Sequence, residues 1–255
     1  LRRGGFRFVA RRFSERSPRL AGNAVGSLAE ASRYSFVRFY LLTTYRASYR
    51  VRMDLISTRE RWRGRLPHWE VEGHWHFVTI RCSGSLPLEV KRRVLEIHRT
   101  LESIDSQDTA FHQLQRQYFL TIEKYLDRGT GFAPFTNYAA CRECLKAVHV
   151  IEDEGWLLGD ATIMPNHVHL LIYRKQSGYS LREVLVRFKG RSAKWTNHAL
   201  GRSGKFWQQD WFDRWMRHEG EFVKTVKYIR DNPVKAKLCE KWDEYPYRIN
   251  GKADS

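Results

Sequence analysis

The chain has 255 residues, of which 42% are hydrophobic, and its formal net charge is +17 at pH 7. This apolar content suits one folded domain with an appendage and excludes a wholly disordered or fibrous protein. The charge favours a polyanionic partner, nucleic acid first, because neutralised phosphates release condensed counterions. A ribosome-associated or merely basic protein is the alternative that charge alone leaves open.

The N-terminal segment differs in composition from the rest of the chain. Residues 1–65 are rich in arginine and serine, and their apolar residues show no sustained period. We interpret them as a basic, disordered extension, either a DNA-binding arm or translated upstream sequence outside the fold. No apolar run reaches the ~18–20 residues of a membrane span, and no secretory segment follows the first arginines. We therefore expect no membrane partner and a cytoplasmic, nucleoid-associated protein.

A folded domain is expected over residues 66–250, beginning with a strand. His76–Cys82 is rich in β-branched and aromatic residues, which predicts that strand. Three helical stretches follow, at about 90–104, 111–125 and 138–151, each with apolar residues three and four apart. The first two occupy a long stretch between strands, and we expect them to form an extra helical insertion after the first strand.

The second half predicts a hairpin and two further helices. Trp156–Ile163 and His167–Tyr173 are strand-like, with a Pro-Asn turn between them. Ser180 and Glu183 form a capping box at the start of a helix. Residues 206–216 fit a helix or a strand equally well, and a last helix spans Glu219–Asp231, where we expect Pro233 to end it. This order predicts an α+β fold, a ferredoxin-like antiparallel sheet with helices on one face.

His167-Val168-His169 is the first candidate for chemistry. Side chains two apart on a strand point to the same face, so both imidazoles project together. That geometry suits two ligands of one metal ion. A lone His-x-His pair on a strand is more often structural, but its position directly after a turn favours exposure to ligands.

Tyr228 is the second candidate. Phe222, Val226 and Ile229 lie within ~60° of arc on the last helix, and Tyr228 falls on the flank of that stripe. Asn232 follows one turn later on the same flank. On these grounds alone a boundary tyrosine with its hydroxyl in water is the simpler interpretation.

A basic surface with interleaved tryptophans is the third feature. Basic groups beside aromatic platforms are what single-stranded nucleic acid binds, and a solvated helix face over a tryptophan-containing core is the equal alternative. The tryptophans concerned are Trp195, Trp207 and Trp211. The candidate DNA-binding residues are Arg187, Lys189, Arg191, Lys194, Arg214 and Lys227.

Two segments in this order resemble the signatures of a known family. Met164–Leu171 (MPNHVHLL) and Tyr228–Ala236 (YIRDNPVKA) are similar to those of the REP-associated tyrosine transposases. These are relatives of the single-strand insertion-sequence transposases within the His-hydrophobic-His endonuclease superfamily. The likeness spans about Leu66 to Tyr247. Shorter matches are Pro67-His68-Trp69, Phe77-Val78-Thr79, Phe188-Lys189-Gly190, Phe206-Trp207-Gln208 and Phe212-Asp213-Arg214.

The resemblance implies a role for each matching residue. His167 and His169 would hold Mg²⁺ or Mn²⁺, Tyr228 would be the nucleophile, and Asn232 would stand where relatives carry a third polar ligand, often Gln. An acidic residue is usual in the family near Asp210. The implied activity is cleavage and rejoining of single-stranded hairpin DNA through a covalent phosphotyrosine, that is, DNA transposition. Relatives act as monomers or homodimers, and both states stay open.

Three rival readings remain at this point. The protein is a DNA binder with an inactive site, a metal-dependent nuclease that uses water while Tyr228 is structural, or a basic RNA-binding protein. The intact His167, His169 and Tyr228 argue against the first. Absence of a covalent protein–DNA adduct would favour the nuclease that uses water. A preference for RNA without metal dependence would favour the RNA-binding protein.

Overall fold

The computed structural model describes residues 58–63, 67–104, 109–129 and 131–251. The expected extension 1–65 lies outside these residues, except for its last part: a strand already begins at Thr58, ahead of the expected boundary at 66. None of the described helices combines the length and apolar character that crossing a bilayer requires. The strands are β1 (Thr58–Arg63), β2 (Pro67–Val71), β3 (Trp75–Arg81), β4 (Trp156–Met164), β5 (His167–Arg174), β6 (Phe212–Trp215) and β7 (Arg248–Ile249). The helices are α1 (Leu88–Ser103), α2 (Thr109–Leu126), α3 (Tyr138–Asp153), α4 (Leu181–Ala199) and α5 (Glu219–Lys235).

Five antiparallel strands form the central sheet, in the order β6-β3-β5-β4-β7. The predicted hairpin is confirmed as β4 and β5, which pair from Met164 opposite His167 onwards. β3 flanks β5 on its other side, with Thr79 opposite His169. The α+β class with an antiparallel sheet is thereby confirmed, and β5 lies in the middle of the sheet.

Both faces of the sheet carry helices, whereas the sequence predicted helices on one face. Val168, Leu170 and Ile172 of β5 point into a core shared with α3 and α4. Leu171, between them, joins Phe77, Ile229 and Met216 on the other face, beneath α5. The physical reason is the alternation of side chains along a strand: the first six positions of β5 are all buried, so side chains on both of its faces are covered.

Helices α1 and α2 form the predicted insertion between β3 and α3. They pack against each other around a core of their own, which includes Val90, Val94, Phe111 and Leu126. Phe119 of α2 also contacts Phe212 of β6, with ring centroids 4.5 Å apart. The insertion therefore lies over the edge of the sheet, on the same face as α5.

Two local predictions are settled by the structure. The ambiguous segment 206–216 is extended: Trp207 forms a β-bridge with Cys82, and β6 follows. The last helix does not end before Pro233 but continues to Lys235. Pro233 is tolerated because it lies in the final turn, where Ala236 N still bonds to Asn232 O at 2.9 Å.

Candidate metal and nucleophile site

The two histidines of β5 meet on the sheet face beneath α5. Both side chains are fully buried. Their Nε2 atoms are 3.0 Å apart, and the ring planes stand at 75° to each other. The strand alternation that predicted a shared face is confirmed for His167 and His169.

The other ring nitrogen of each histidine is held by a neighbour. His167 Nδ1 lies 2.8 Å from Asn166 Oδ1, and His169 Nδ1 lies 2.9 Å from Thr79 Oγ1. Asn166 Oδ1 only accepts, so the proton of neutral His167 lies on Nδ1 and leaves a lone pair on its Nε2. The Thr79 hydroxyl can accept a hydrogen bond from Nδ1 of His169, which allows the same tautomer there. Two lone pairs that face each other at 3.0 Å favour a shared cation between them.

Burial keeps both imidazoles neutral, as metal ligands must be. Burial, with a smaller contribution from the nearby His169, lowers the pKa of His167 to about 3, while Glu123 opposes the shift. Burial also lowers the pKa of His169 to about 3. A neutral imidazole at ordinary pH binds a metal without first losing a proton.

Glu123 of α2 completes a three-residue cluster with the histidines. Its ligand atoms and theirs all lie within 4.8 Å of one another. Glu123 Oε2 is 3.4 Å from His169 Nε2. Its Oε1 is buried and has no hydrogen-bond partner within the described parts of the chain. Two imidazoles, a carboxylate and an orphaned buried oxygen make a donor set that fits a divalent cation.

Tyr228 reaches the same cluster from α5. Its hydroxyl donates a hydrogen bond to Glu123 Oε2. Its ring lies 5.4 Å from the ring of His169 and 5.7 Å from that of Phe77, both nearly edge-on. Burial raises the pKa of Tyr228, and the negative charge of Glu123 raises it further. The phenol is therefore protonated, with a carboxylate as its hydrogen-bond acceptor.

Asn232 lies one turn beyond Tyr228 and is 2% exposed. Its Nδ2 donates to the carbonyl oxygen of Tyr228 at 2.9 Å. The Asn232 side chain lowers the pKa of Tyr228, against the larger effects of burial and Glu123. The predicted third ligand is thus next to Tyr228, whereas the carboxylate nearest the histidines comes from Glu123.

The six predicted DNA-binding residues do not form one surface. Arg187 and Arg191 of α4 both pair with the buried Glu154, on the sheet face opposite the histidines. Arg214 pairs with Glu221, and Lys227 with Asp231. Lys194 is exposed on α4. Lys189 bonds to Gln209 O and lies 5.1 Å from the centre of the Trp211 ring.

The tryptophans proposed as stacking platforms belong to the core. Trp207 is 5% exposed and Trp211 is 6% exposed, and Trp195 packs against the same core from its edge. Asp210, the acidic position left open by the sequence, accepts a hydrogen bond from His68 Nε2 at 2.8 Å. It therefore anchors β2 to the loop before β6.

Glu123 is the member of the candidate site that sequence reasoning missed. It lies in the predicted insertion, next to the apolar residue Ile122, where an acid looks like an ordinary flank of an amphipathic helix. The available signal was that this acid adjoins the buried stripe of Tyr118, Ile122 and Tyr125 rather than the outer face of the helix.

Residues 138–232 match a family model described as "Transposase IS200 like". The matched stretch runs from α3 into α5 and contains His167, His169, Tyr228 and Asn232. A comparison with curated proteins gives no match. One similar solved structure is described as "Structure of the REP associates tyrosine transposase bound to a REP hairpin". It is 15% identical, with a TM-score of 0.43, over 74% of this chain and 81% of that chain.

Proposed function

We propose that this protein cleaves and rejoins single-stranded DNA through a covalent bond to Tyr228, because residues 138–232 match the model of the IS200-like transposases. The observation that carries the proposal is the contact between Tyr228 and Glu123, within a cluster of neutral histidines that fits a metal. A nucleophile beside an electrophile-activating site is the arrangement that phosphodiester cleavage requires.

The metal would be held by His167, His169 and Glu123, with Asn232 as a further candidate ligand through its amide oxygen. A divalent cation at this position would offset the charge of the scissile phosphate and polarise its oxygens. Imidazole ligands favour Mn²⁺, whereas a carboxylate and amide also accept Mg²⁺.

Tyr228 carries the covalent step. Its phenolic oxygen forms a bond to the phosphorus of the scissile phosphodiester, and the bond from phosphorus to the 3′ oxygen breaks. The phenol proton leaves toward Glu123, which already accepts its hydrogen bond, and the departing strand takes a proton to become a 3′ hydroxyl. The DNA stays attached as a 5′-phosphotyrosine. A 3′ hydroxyl of another strand reverses the step and rejoins the DNA without ATP.

The substrate is single-stranded DNA that folds back into a hairpin. The support is the net charge of +17, which suits a phosphate backbone, together with the likeness of the two signature segments to those of the REP-associated transposases. A hairpin offers a duplex for positioning next to unpaired bases at its foot. Such unpaired bases are the part of a nucleic acid that a protein reads most readily.

The test is a cleavage assay on a labelled library of hairpin oligonucleotides with Mn²⁺ or Mg²⁺. We expect metal-dependent cleavage that is abolished by EDTA and by Tyr228→Phe. Tyr125→Phe, which removes a hydroxyl from the neighbouring α2, is the matched control and should cleave normally. Cleavage that survives Tyr228→Phe would replace this proposal with a nuclease that uses water, and binding without cleavage would favour an inactive DNA binder.

A further inference from the structure

A cavity of about 250 Å³ lies between the inserted helices and the edge of the sheet. Its lining comes from α1, α2, the end of β3 and the segment that leads into β6. Thr79 and Glu123 contribute to that lining, and both contact His169. The cavity is therefore continuous with the candidate metal site.

Four aromatic side chains contribute to the cavity wall. Phe119 and Phe212 pack on each other at 4.5 Å, and Tyr118 and Trp211 lie beside them. Phe119 also contacts the ring of Tyr228, with centroids 5.9 Å apart. A planar group stacked on Phe119 would therefore lie close to Tyr228, the proposed nucleophile.

Polar and basic groups occupy the same lining. Gln208 and His98 offer hydrogen-bonding atoms, Arg81 and Lys91 bring positive charge, and Glu123 and Asp210 bring carboxylates that can accept hydrogen bonds from base amino groups. The volume is below the about 300–1,000 Å³ typical of pockets for drug-sized ligands, so it suits one small ring system. An aromatic slot with hydrogen-bonding groups and cations fits one nucleobase together with its phosphate.

We infer that this cavity binds one unpaired nucleobase of the DNA strand, next to the phosphate that Tyr228 attacks. The inference rests on the proposed function and adds to it where sequence preference is read. A base within a duplex is stacked on both sides and cannot enter, so the cavity selects a single-stranded or flipped-out nucleotide. The insertion α1–α2 would thus set the preferred sequence at the cleavage site.

Leu95 of α1 offers a way to fill the cavity without disturbing the core. It lines the cavity and is 46% exposed, so Leu95→Trp can extend into it from the solvent side. Leu120→Trp is the matched control, because Leu120 is 52% exposed on α2 and lies outside the cavity lining.

The test measures binding of hairpin oligonucleotides in the Tyr228→Phe background, by fluorescence anisotropy with Mn²⁺, so that no cleavage is needed. Single abasic sites are moved along the unpaired flank. We expect one position near the cleavage site where base removal weakens binding about 10-fold. Leu95→Trp should weaken binding of the intact strand by a similar factor. In Leu95→Trp, removing the base at that position should cause no further loss of affinity. Leu120→Trp should behave like its parent.

Two other outcomes have different meanings. Binding that is indifferent to every abasic position, in a protein that cleaves with Tyr228 intact, overturns the inference and leaves the proposed function in place. The same holds if Leu95→Trp and the abasic site act additively. A protein that neither binds nor cleaves any oligonucleotide overturns both.

Discussion

Tyr228 donates its hydroxyl hydrogen bond to Glu123, a carboxylate that lies 105 positions earlier in the chain. The tyrosine belongs to α5, whereas the carboxylate belongs to the inserted helix α2. Glu123 also approaches His169, so one carboxylate contacts both the proposed nucleophile and a candidate metal ligand. The insertion is therefore part of the site rather than an appendage to it.

Removal of the Glu123 carboxylate should weaken metal binding. Glu123→Ala takes away the anionic member of the cluster, and we expect the Kd for Mn²⁺ to rise at least 10-fold, as measured by isothermal titration calorimetry. Glu96→Ala on the exposed surface of α1 is the control and should leave the Kd unchanged. An unaltered Kd in Glu123→Ala would mean that Glu123 does not bind the metal and that its role is confined to the hydrogen bond with Tyr228.

Asn232 tests the ligand expected from the resemblance. If its amide oxygen binds the metal, Asn232→Ala should raise the Kd for Mn²⁺, while Asn232→Asp, which keeps an oxygen in place, should not. We expect Asn232→Ala to raise the Kd for Mn²⁺, by a smaller factor than His167→Ala does. A normal Kd in Asn232→Ala, accompanied by a lower Tm, would instead limit Asn232 to supporting the turn through its bond to the Tyr228 carbonyl.

The sequence was informative where function depends on local geometry. His167 and His169 lie two apart on one strand, so the period of the strand alone brings them together. The turn before β5 and the capping box at Ser180 are equally local, and both are confirmed. The basic residues of α4 illustrate the opposite case, because nothing in their spacing reveals that Glu154 pairs with Arg187 and Arg191.

The remaining part of the site depends on tertiary contacts. The approach of Glu123 to His169 requires the insertion to fold back over the sheet edge, which no short-range pattern encodes. The cover on the second face was not predicted because that face of β5 carries His167 and His169, and only Leu171 on it joins the apolar cluster beneath α5. Pro233 lies in the last turn of α5, so the helix continues past it to Lys235. The proline lacks the N–H of one backbone hydrogen bond there, and the helix tolerates that loss so close to its end.

The Arg191–Glu154 pair predicts a stability effect rather than a DNA-binding effect. Arg191→Ala leaves the buried Glu154 with Arg187 as its remaining partner, so we expect the free energy of unfolding to fall by about 1–3 kcal/mol. Lys194→Ala, at an exposed position on the same helix, should change it by less than about 0.5 kcal/mol. Urea denaturation measures both. Equal effects would contradict the structural role assigned to Arg191.

His68 predicts a loss of stability at alkaline pH. Burial alone would lower its pKa, but hydrogen bonds to Asp210 and Asp213 outweigh burial and raise the pKa of His68 to about 9. The folded state then holds a proton that the unfolded state releases above about pH 6.5. The stabilisation is complete below pH 6.5 and disappears as the pH rises through 9.

The contribution of His68 to the free energy of unfolding should fall by about 1.4 kcal/mol per pH unit between its unfolded and folded pKa values. Burial lowers the pKa of Lys189 to about 8, so folded Lys189 begins to lose its proton only near that pH. Measurements below pH 8 therefore report on His68 with little contribution from Lys189. The buried His76, His167 and His169, whose pKa values are lowered to about 3, make stability rise with pH near 6.5, and they do so in both proteins. Urea titrations between pH 6 and 8 should therefore show a stability advantage of the native protein over His68→Asn that shrinks as the pH rises. A slope that persists unchanged in the variant would assign it to another group.

The most direct test of the central claim is to locate the covalent bond. The protein is incubated with a cleavable hairpin oligonucleotide and Mn²⁺, digested with protease and nuclease, and analysed by tandem mass spectrometry. The account predicts a 5′-linked nucleotide on the peptide that contains Tyr228, absent after EDTA treatment and in Tyr228→Phe. Cleaved DNA without a modified peptide, or a nucleotide attached to another residue, would contradict it.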